Sequence, residues 1–514
     1  MPIFATSSTP ARQAAIASLA VVAAGIAGRR LLPANTDVSW LITVAEKVID
    51  GARLYVDIPE PNPPMSIYLY APAVLLGRLF GAAPEAALDV VVFALAIASV
   101  AWCAPRLPRA PEFSNPWLAP AALAVLLVLP AYSFGQREHL ALVAFLPWMT
   151  IAIRRAEAAP TPVGWAVVGG LCGGLALAIK PHFALALAGA TCVSAASTRS
   201  WKTLFKLENL VAGGVLVAYL AHIPLFYPAY GRDLGPLLSL YISVRQPVWR
   251  MLFGAFPMLT LELAGMAAFL AISRGKAAVT PWVLATAAAV VGFLAAAIIQ
   301  GKGWPYHFLP AFGLATLLLA ALSVRRPSTG RLDIAIAALG AAFFFQSWRQ
   351  EAISVDLSPI HPKILAVKSH PRVMTMASDP AVSFPTTRAV GGVWADQQFN
   401  GMIPYYAGGL AASDGFDPAR LPALRAMVEA QRRDLSLDLR RRRADVLLIE
   451  RKPFDYVAWG RRDPEISGLL DCFRDTGSAR VGDPDKPGEG LEVSVWAAVS
   501  PPPAQGGCAA GAPP

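Results

Sequence analysis

Charge is what this chain lacks. Only 15% of its 514 residues are Asp, Glu, Lys or Arg, whereas a soluble domain carries about 25%. So few charges cannot cover the surface of a globular protein of this size, and a string of soluble domains is excluded. Cysteine is scarce as well, at five residues, which rules out a disulfide scaffold. No Cys/His spacing suits a metal; a divalent ion near the acids stays open, though nothing in the pattern demands one. The 40 glycines and 45 prolines follow no period, which excludes collagen-like and low-complexity classes. What the chain has instead is an apolar fraction of 55%. A polytopic membrane protein remains.

The net charge of +10 is unevenly spread. Residues 1–349 hold 25 basic and 14 acidic residues, and residues 350–514 hold 19 and 20. The positive excess therefore lies in the apolar part, as short loops at an anionic cytoplasmic face would place it. No compact patch of basic and aromatic residues points to nucleic acid.

Apolar runs near the helix-spanning length of roughly 17–25 residues recur at 13–32, 84–104, 117–133, 139–155, 163–180, 182–198, 208–228, 251–272, 280–300, 304–324 and 331–348. The first ends in small residues at Ala24–Gly28 and reads as a signal anchor, since so many spans follow it. Gly169-Gly170-Leu171-Cys172-Gly173-Gly174 lies inside a span, so it reads as a close-packing surface rather than a phosphate loop. Cys103, Cys172 and Cys192 also fall in spans and read as small packing residues. The pairing of Cys472 and Cys508 stays open. Basic clusters at Arg106/Arg109, Arg154/Arg155, Arg199/Lys202/Lys206, Arg274/Lys276 and Arg325/Arg326/Arg331 occupy alternate loops, and the positive-inside rule makes these cytoplasmic. With that parity the apolar run Pro64–Gly81 does not cross but lies along the outer face, within an external segment 33–83. About 11 spans then put the C-terminal region outside. Arg29/Arg30 sit at the outer end of the first helix, against the rule.

The outer loops are poor in charge, yet each has ionisable groups in a polar cluster. Asn35-Thr36-Asp37 leads into an amphipathic stretch, followed by Tyr55-Val56-Asp57-Ile58-Pro59-Glu60-Pro61-Asn62-Pro63-Pro64. Later come Gly135-Gln136-Arg137-Glu138-His139, Lys180-Pro181-His182 and Gln300-Gly301-Lys302-Gly303-Trp304-Pro305-Tyr306-His307. Ionisable groups at membrane depth are expensive and generally face a cavity or a partner. Carboxylates facing Lys and Arg suit a carboxylate base acting beside a bound phosphate.

On these residues the chain resembles the GT-C superfamily of integral-membrane glycosyltransferases, of the protein O-mannosyltransferase and lipid A aminoarabinose transferase types. The early Asp37, the acidic-Pro-x-Pro-Pro element from Glu60, Ala178-Ile179-Lys180-Pro181 and Lys302 with Tyr306-His307-Phe308-Leu309-Pro310 carry the likeness over most of residues 30–310. The resemblance implies a bacterial inner-membrane enzyme that transfers a sugar, with inversion, from a polyprenyl-phosphate donor to a periplasmic glycan, lipid or protein acceptor. It implies Asp37 as catalytic base with Glu60 beside it, and Lys180, Lys302 and Arg137 on the donor phosphate. Asp57, Glu138, His139, His182, Tyr306 and His307 complete the candidates. Asp37 is followed by Val38 where the mannosyltransferase pattern pairs two acids, so sugar and acceptor stay open.

Each candidate has a plainer reading. Asp37 suits the cap of the following helix, and Asp57 the turn it sits in. Lys180 and Lys302 could be helix-end lysines reaching for the interface. Arg137 and Glu138 could simply pair, and Tyr306 and His307 could be interfacial anchors. The competing functions are a flippase or transporter of lipid-linked sugars, which would call for inverted repeats, and a non-catalytic cell-envelope scaffold.

From about residue 350 the composition becomes ordinary. Val373–Met376, Ala444–Glu450 and Glu492–Val499 read as strands, and Pro418–Arg443 as a helix with basic residues crowding its end. The expected architecture is mainly α: a GT-C-like membrane helix bundle over 1–349, with juxtamembrane helices in its first external loop. A small soluble α/β domain over 350–500 and a disordered tail over 501–514 follow.

Overall fold

The computed structural model describes residues 9–233, 242, 245–255, 265, 280–323, 331–352, 354–396, 401–412, 417–441, 444–482 and 490–499. Most of the expected span 251–272, the Arg274/Lys276 and Arg325/Arg326 clusters, Cys508 and the 501–514 tail lie outside them. The chain divides into two compact units. One comprises Met1–Leu32, Pro72–Phe226 and Ile242–Ala352; the other comprises Pro33–Ala71, Tyr227–Tyr241 and Ile353–Pro514.

The first unit is a helix bundle. Its helices are α1 (Thr9–Leu31), α4 (Ala71–Phe80), α5 (Pro84–Cys103), α6 (Leu118–Leu127), α7 (Arg137–Ala156), α8 (Val163–Ile179), α9 (Ala184–Ser197), α10 (Leu207–Phe226), α11 (Pro281–Gln300), α12 (Pro305–Ser323) and α13 (Arg331–Glu351). Among the described residues five helices are long and apolar enough to cross a bilayer: α1, α5 with its short extension to Arg106, α10, α11 and α12. α1 buries only Ala14 and Gly25 and turns Leu19 and Ile26 outward, which is favourable only if lipid replaces water there.

Glycine sets the closest helix contacts. A Cβ on Gly169 or Gly173 would lie 2.7 Å from Ile151 or Trp148 of α7, and one on Gly170 or Gly174 would lie 2.7 or 2.5 Å from Val211 or Val215 of α10. The doubled glycines, four residues apart, thus present two bare stripes of α8 to two neighbours at once. Arg29, which broke the charge rule, donates to Asp89 at 3.0 Å and lies 4.9 Å from the Phe134 ring centroid, so its charge is paired inside the bundle. Two other helix-end cations rest on indoles, Arg106 over Trp102 and Trp165 and Arg154 over Trp165.

Two apolar runs depart from simple spans. Pro64–Gly81 breaks into α3 (Met65–Tyr68) and α4 of ten residues. At 1.5 Å per residue α4 reaches about 15 Å, half the roughly 30 Å of a hydrocarbon core. The run 117–133 does not continue as one helix either. α6 ends at Leu127, three residues before Pro130, and a 3₁₀ turn follows at Ala131–Ser133. Proline lacks the N–H that helix continuation needs and pushes the residue before it out of helical geometry.

The second unit holds α2 (Thr36–Ile49), α3 and a five-stranded sheet of order β2-β1-β3-β5-β4. Its strands are β1 (Arg372–Met376), β2 (Val393–Trp394), β3 (Val446–Lys452), β4 (Phe473–Val481) and β5 (Leu491–Ala498). β1 runs parallel to β2 and β3, and β5 is antiparallel to both β3 and β4. Alternation sends Val373, Val446 and Leu448 into one apolar cluster and Met374, Leu447 and Ile449 into the other. Both faces are covered, which is why the central strands read as unbroken apolar runs. Leu435 and Leu439 of the helix Leu421–Arg441 cover the second face.

Candidate functional site

The bundle unit gathers its candidates where four helix ends meet. Lys180 follows the last residue of α8 in an extended conformation (φ −144°, ψ 104°), as the next residue, Pro181, requires. Its Nζ donates to Glu138 Oε1, in the first turn of α7, and at 2.6 Å to Gln300 Oε1, the last residue of α11. His307, in the first turn of α12, puts Nε2 3.6 Å from the same Glu138 oxygen. Glu138, Lys180 and His307 are buried, as are Arg137 and Lys302. Both lysines sit just past helix C-termini and Glu138 in a first turn, each in register with the helix dipoles. Glu138 Oε2 and His307 Nδ1 are buried yet make no hydrogen bond among the described residues. Such groups carry a penalty of roughly 1–3 kcal/mol each.

Lys302 stands between Gly301 and Gly303, both at φ 69°. Gly301 caps α11 in the left-handed region. Arg245 crowds it so closely that a Cβ there would lie 2.7 Å from the guanidinium Nε. The strap 245–247 is pinned here, with Gln246 N donating to Gly301 O at 2.7 Å and Arg245 Nη2 to Ile299 O at 2.6 Å. Burial, and secondarily the Arg245 charge, pushes the Lys302 ammonium down to about 8. Tyr306 is half-buried, edge-on to His307 at 4.6 Å between centroids, with Trp304 5.4 Å from the same imidazole. His182 is half-buried beside Phe183. His139 has both ring nitrogens engaged by backbone: Gly135 N–H donates to Nδ1 at 3.0 Å, and Nε2 lies 2.7 Å from Leu126 O. Its geometry is that of a pin holding the 3₁₀ turn to the end of α6.

The α/β unit holds the three loop acids. Asn35, not Asp37, is the helix cap: its side chain accepts from Asp37 N and Val38 N. Asp37 thus stands in the first turn of α2, half-buried, with the capping role already filled. Glu60 is fully buried. One of its oxygens accepts from Trp40 Nε1 on α2, and the other from the backbone and side chain of Asn62. Tyr55, at φ 69°, donates to Asn62 O at 2.7 Å and closes the same loop. Such a φ is strained for an aromatic residue. Asp57 pairs with Arg53, accepting from its backbone N–H at 2.8 Å and its guanidinium at 3.0 and 2.8 Å. Those bonds hold its carboxyl down at about 2, as a turn-fixing acid requires.

Gln300, which opens the polar loop cluster around Lys302, completes the Lys180 cradle. Other participants are absent from the sequence reading. Glu351, the last residue of α13, is fully buried and accepts from Ser133 Oγ; the only signal for it was a lone acid ending an apolar run. In the α/β unit, Arg388 of the helix Phe384–Ala389 reaches Glu46 of α2, at 2.7 and 3.1 Å.

No family model matches this chain, and no curated protein matches its sequence. Solved structures do match its fold. A crystal structure of ArnT from Cupriavidus metallidurans bound to undecaprenyl phosphate aligns over 94% of this chain and 97% of that one, at 12% identity and a TM-score of 0.54. The apo form of the same protein aligns over 90% and 94%, at 13% identity and a TM-score of 0.50. The GT-C-like architecture read from the loop residues is therefore the fold of this chain: a membrane helix bundle with a C-terminal α/β domain.

Proposed function

We propose that this protein is a membrane glycosyltransferase that moves a sugar from a polyprenyl-phosphate donor to an acceptor hydroxyl, with inversion. The observation that carries the reading is the buried Glu138–Lys180–Gln300 network beside Arg137, Lys302 and His307. A bundle stabilised by lipid gains nothing from burying several cations at one end unless an anion joins them. A phosphate meets that requirement, and the ArnT fold was solved with undecaprenyl phosphate bound. Residues 1–349 form the membrane-embedded catalytic domain and 350–500 a soluble domain on the periplasmic side of a bacterial inner membrane.

In this reading Lys180, Lys302 and Arg137 hold the donor phosphate, and the apolar tail lies between helices. Asp37 takes the proton of the acceptor hydroxyl as its oxygen bonds to the anomeric carbon from the face opposite the phosphate. The bond from that carbon to the phosphate oxygen breaks, its electron pair leaving with the phosphate, where the cations stabilise it. Glu60 acts through Trp40, holding α2.

The test is transfer from a synthetic polyprenyl-phosphate sugar by the purified protein, read as released polyprenyl phosphate. Asp37→Asn is expected to lower turnover by at least about 10²–10⁴-fold, the usual contribution of a general base, with donor affinity retained. Full turnover by that variant would sink the assignment.

A further inference from the structure

The helix that carries Asp37 is not held by its own loop alone. α2 has 14 residues, a length at which an isolated helix is marginal even in a favourable sequence. Yet its residues 38–45 are all buried, so it is stabilised by what packs around it. Four of its side chains meet the α/β domain. The Trp40 ring lies 4.5 Å, centroid to centroid, from Phe384, which in turn meets Trp394 of β2 edge-on at 5.0 Å. Glu46 receives both terminal nitrogens of Arg388, and one of these also reaches Thr43 Oγ1 at 3.3 Å. Lys47 Nζ donates to the backbone oxygen of Asp396, just past β2.

Trp40, Thr43 and Lys47 share one side of the helix, by the i, i+3, i+7 rule, and Glu46 flanks it. Phe384 and Arg388, four residues apart, form the matching side of their own short helix. That helix has only six residues, and two of its side chains, Phe384 and Arg388, are spent on α2. Asp37 lies one turn before Trp40. The Arg388 fork and the Phe384 ring thus join the Glu60–Trp40 bond in holding α2 by the side next to Asp37.

We propose that Arg388 and Phe384 of the C-terminal domain are positioning residues for transfer, orienting the Asp37 helix through Glu46 and Trp40. The soluble domain then has a part in turnover without touching the donor. This rests on the assignment of Asp37 as base, and the test separates the two ideas. Misplacement of a catalytic group by about 1 Å costs up to about 10²-fold in rate, so Arg388→Ala is expected to lower kcat by roughly 10–100-fold. Its affinity for polyprenyl phosphate should stay within about twofold of the parent. Amide hydrogen exchange over residues 36–49 should rise, while that of β1 and β3 stays unchanged. Arg388→Lys should recover part of the rate, and the exchanged pair Glu46→Arg/Arg388→Glu should exceed either single variant.

Unchanged exchange over 36–49, or parental kcat in Arg388→Ala, would overturn the proposal. So would an exchanged pair no better than its singles. If Arg388→Ala loses protection in β1 and β3 as well, Glu46→Gln removes the same pair from the α2 side and decides by the same criteria. A parent protein that releases no polyprenyl phosphate would instead count against the glycosyltransfer reading, and the exchange data would still decide the anchoring.

Discussion

The two units use charge in opposite ways. In the helix bundle, Glu138, Lys180, Lys302 and Arg137 are buried at helix ends with few exits to solvent. In the α/β unit the first loop holds one solvated pair, Arg53–Asp57, which ties a turn, and one largely buried pair, Arg388–Glu46, which ties a helix to a distant segment. The difference teaches where charge is informative. A solvated ion pair is worth about 0–1 kcal/mol and is easily accumulated, whereas a buried cluster in an apolar bundle persists only if its groups satisfy one another or a ligand. Burial, rather than the presence of an acid or a base, separates the residues to test for chemistry from those to test for architecture.

The largest break in that comparison is expected at Lys180. Lys180→Met leaves Glu138 buried without its cation, and removing one partner of a buried pair costs about 3–5 kcal/mol. Thermal unfolding in detergent should show that loss, and polyprenyl phosphate binding should weaken with it. The double variant Lys180→Met/Glu138→Gln should recover most of the stability and none of the binding. Recovery of both would mean that the pair only packs.

A smaller effect is expected from Lys302, whose ammonium sits at about 8 because it is buried beside Arg245. A bound phosphate raises that value, so affinity is fullest below pH 8 and falls as pH rises through it. Polyprenyl phosphate is already doubly ionised above its second pKa of about 6, so its own titration does not interfere in that window. Lys302→Arg, charged throughout, should flatten the alkaline limb of a binding titration between pH 7 and 9.5. For stability the sign differs: the depressed lysine disfavours the folded state below pH 8, and this fades as pH rises towards its unfolded value near 10.4.

The smallest effect is expected at Asp57. Its carboxyl is held at about 2 by Arg53, below the usual aspartate value near 3.9. Its contribution is therefore present above the unfolded value and lost as pH falls through about 2. Asp57→Asn should shift the unfolding midpoint at pH 7 only slightly and leave turnover unchanged. A large loss of turnover would move Asp57 from the turn to the chemistry.

Much of this was legible in the chain itself. The Gly169–Gly174 stripe, the apolar run at β3 and the loop positions of Lys180 and Lys302 could all be read, because lipid and a covered sheet impose simple patterns. The end of α6 ahead of Pro130 was also legible locally, though uniform apolarity masked it. Other features were not. Glu46 and Arg388 are 342 residues apart, and no periodicity links them. Ser133 and Glu351 meet across 218 residues, and the acid falls inside the soluble region read from residue 350 until α13 is seen to carry it.

Sequence alone determined the class of this protein and the loops where its scarce charges gather, since the cost of charge in hydrocarbon acts on every residue where it stands. Tertiary structure decided which of those charges are spent on one another. It made Glu138 the partner of Lys180, gave the cap to Asn35 and closed Glu60 onto Trp40. It also joined α2 to the domain that follows the bundle. These are contacts between distant segments, set by packing and loop closure, and they exist only once the chain has folded.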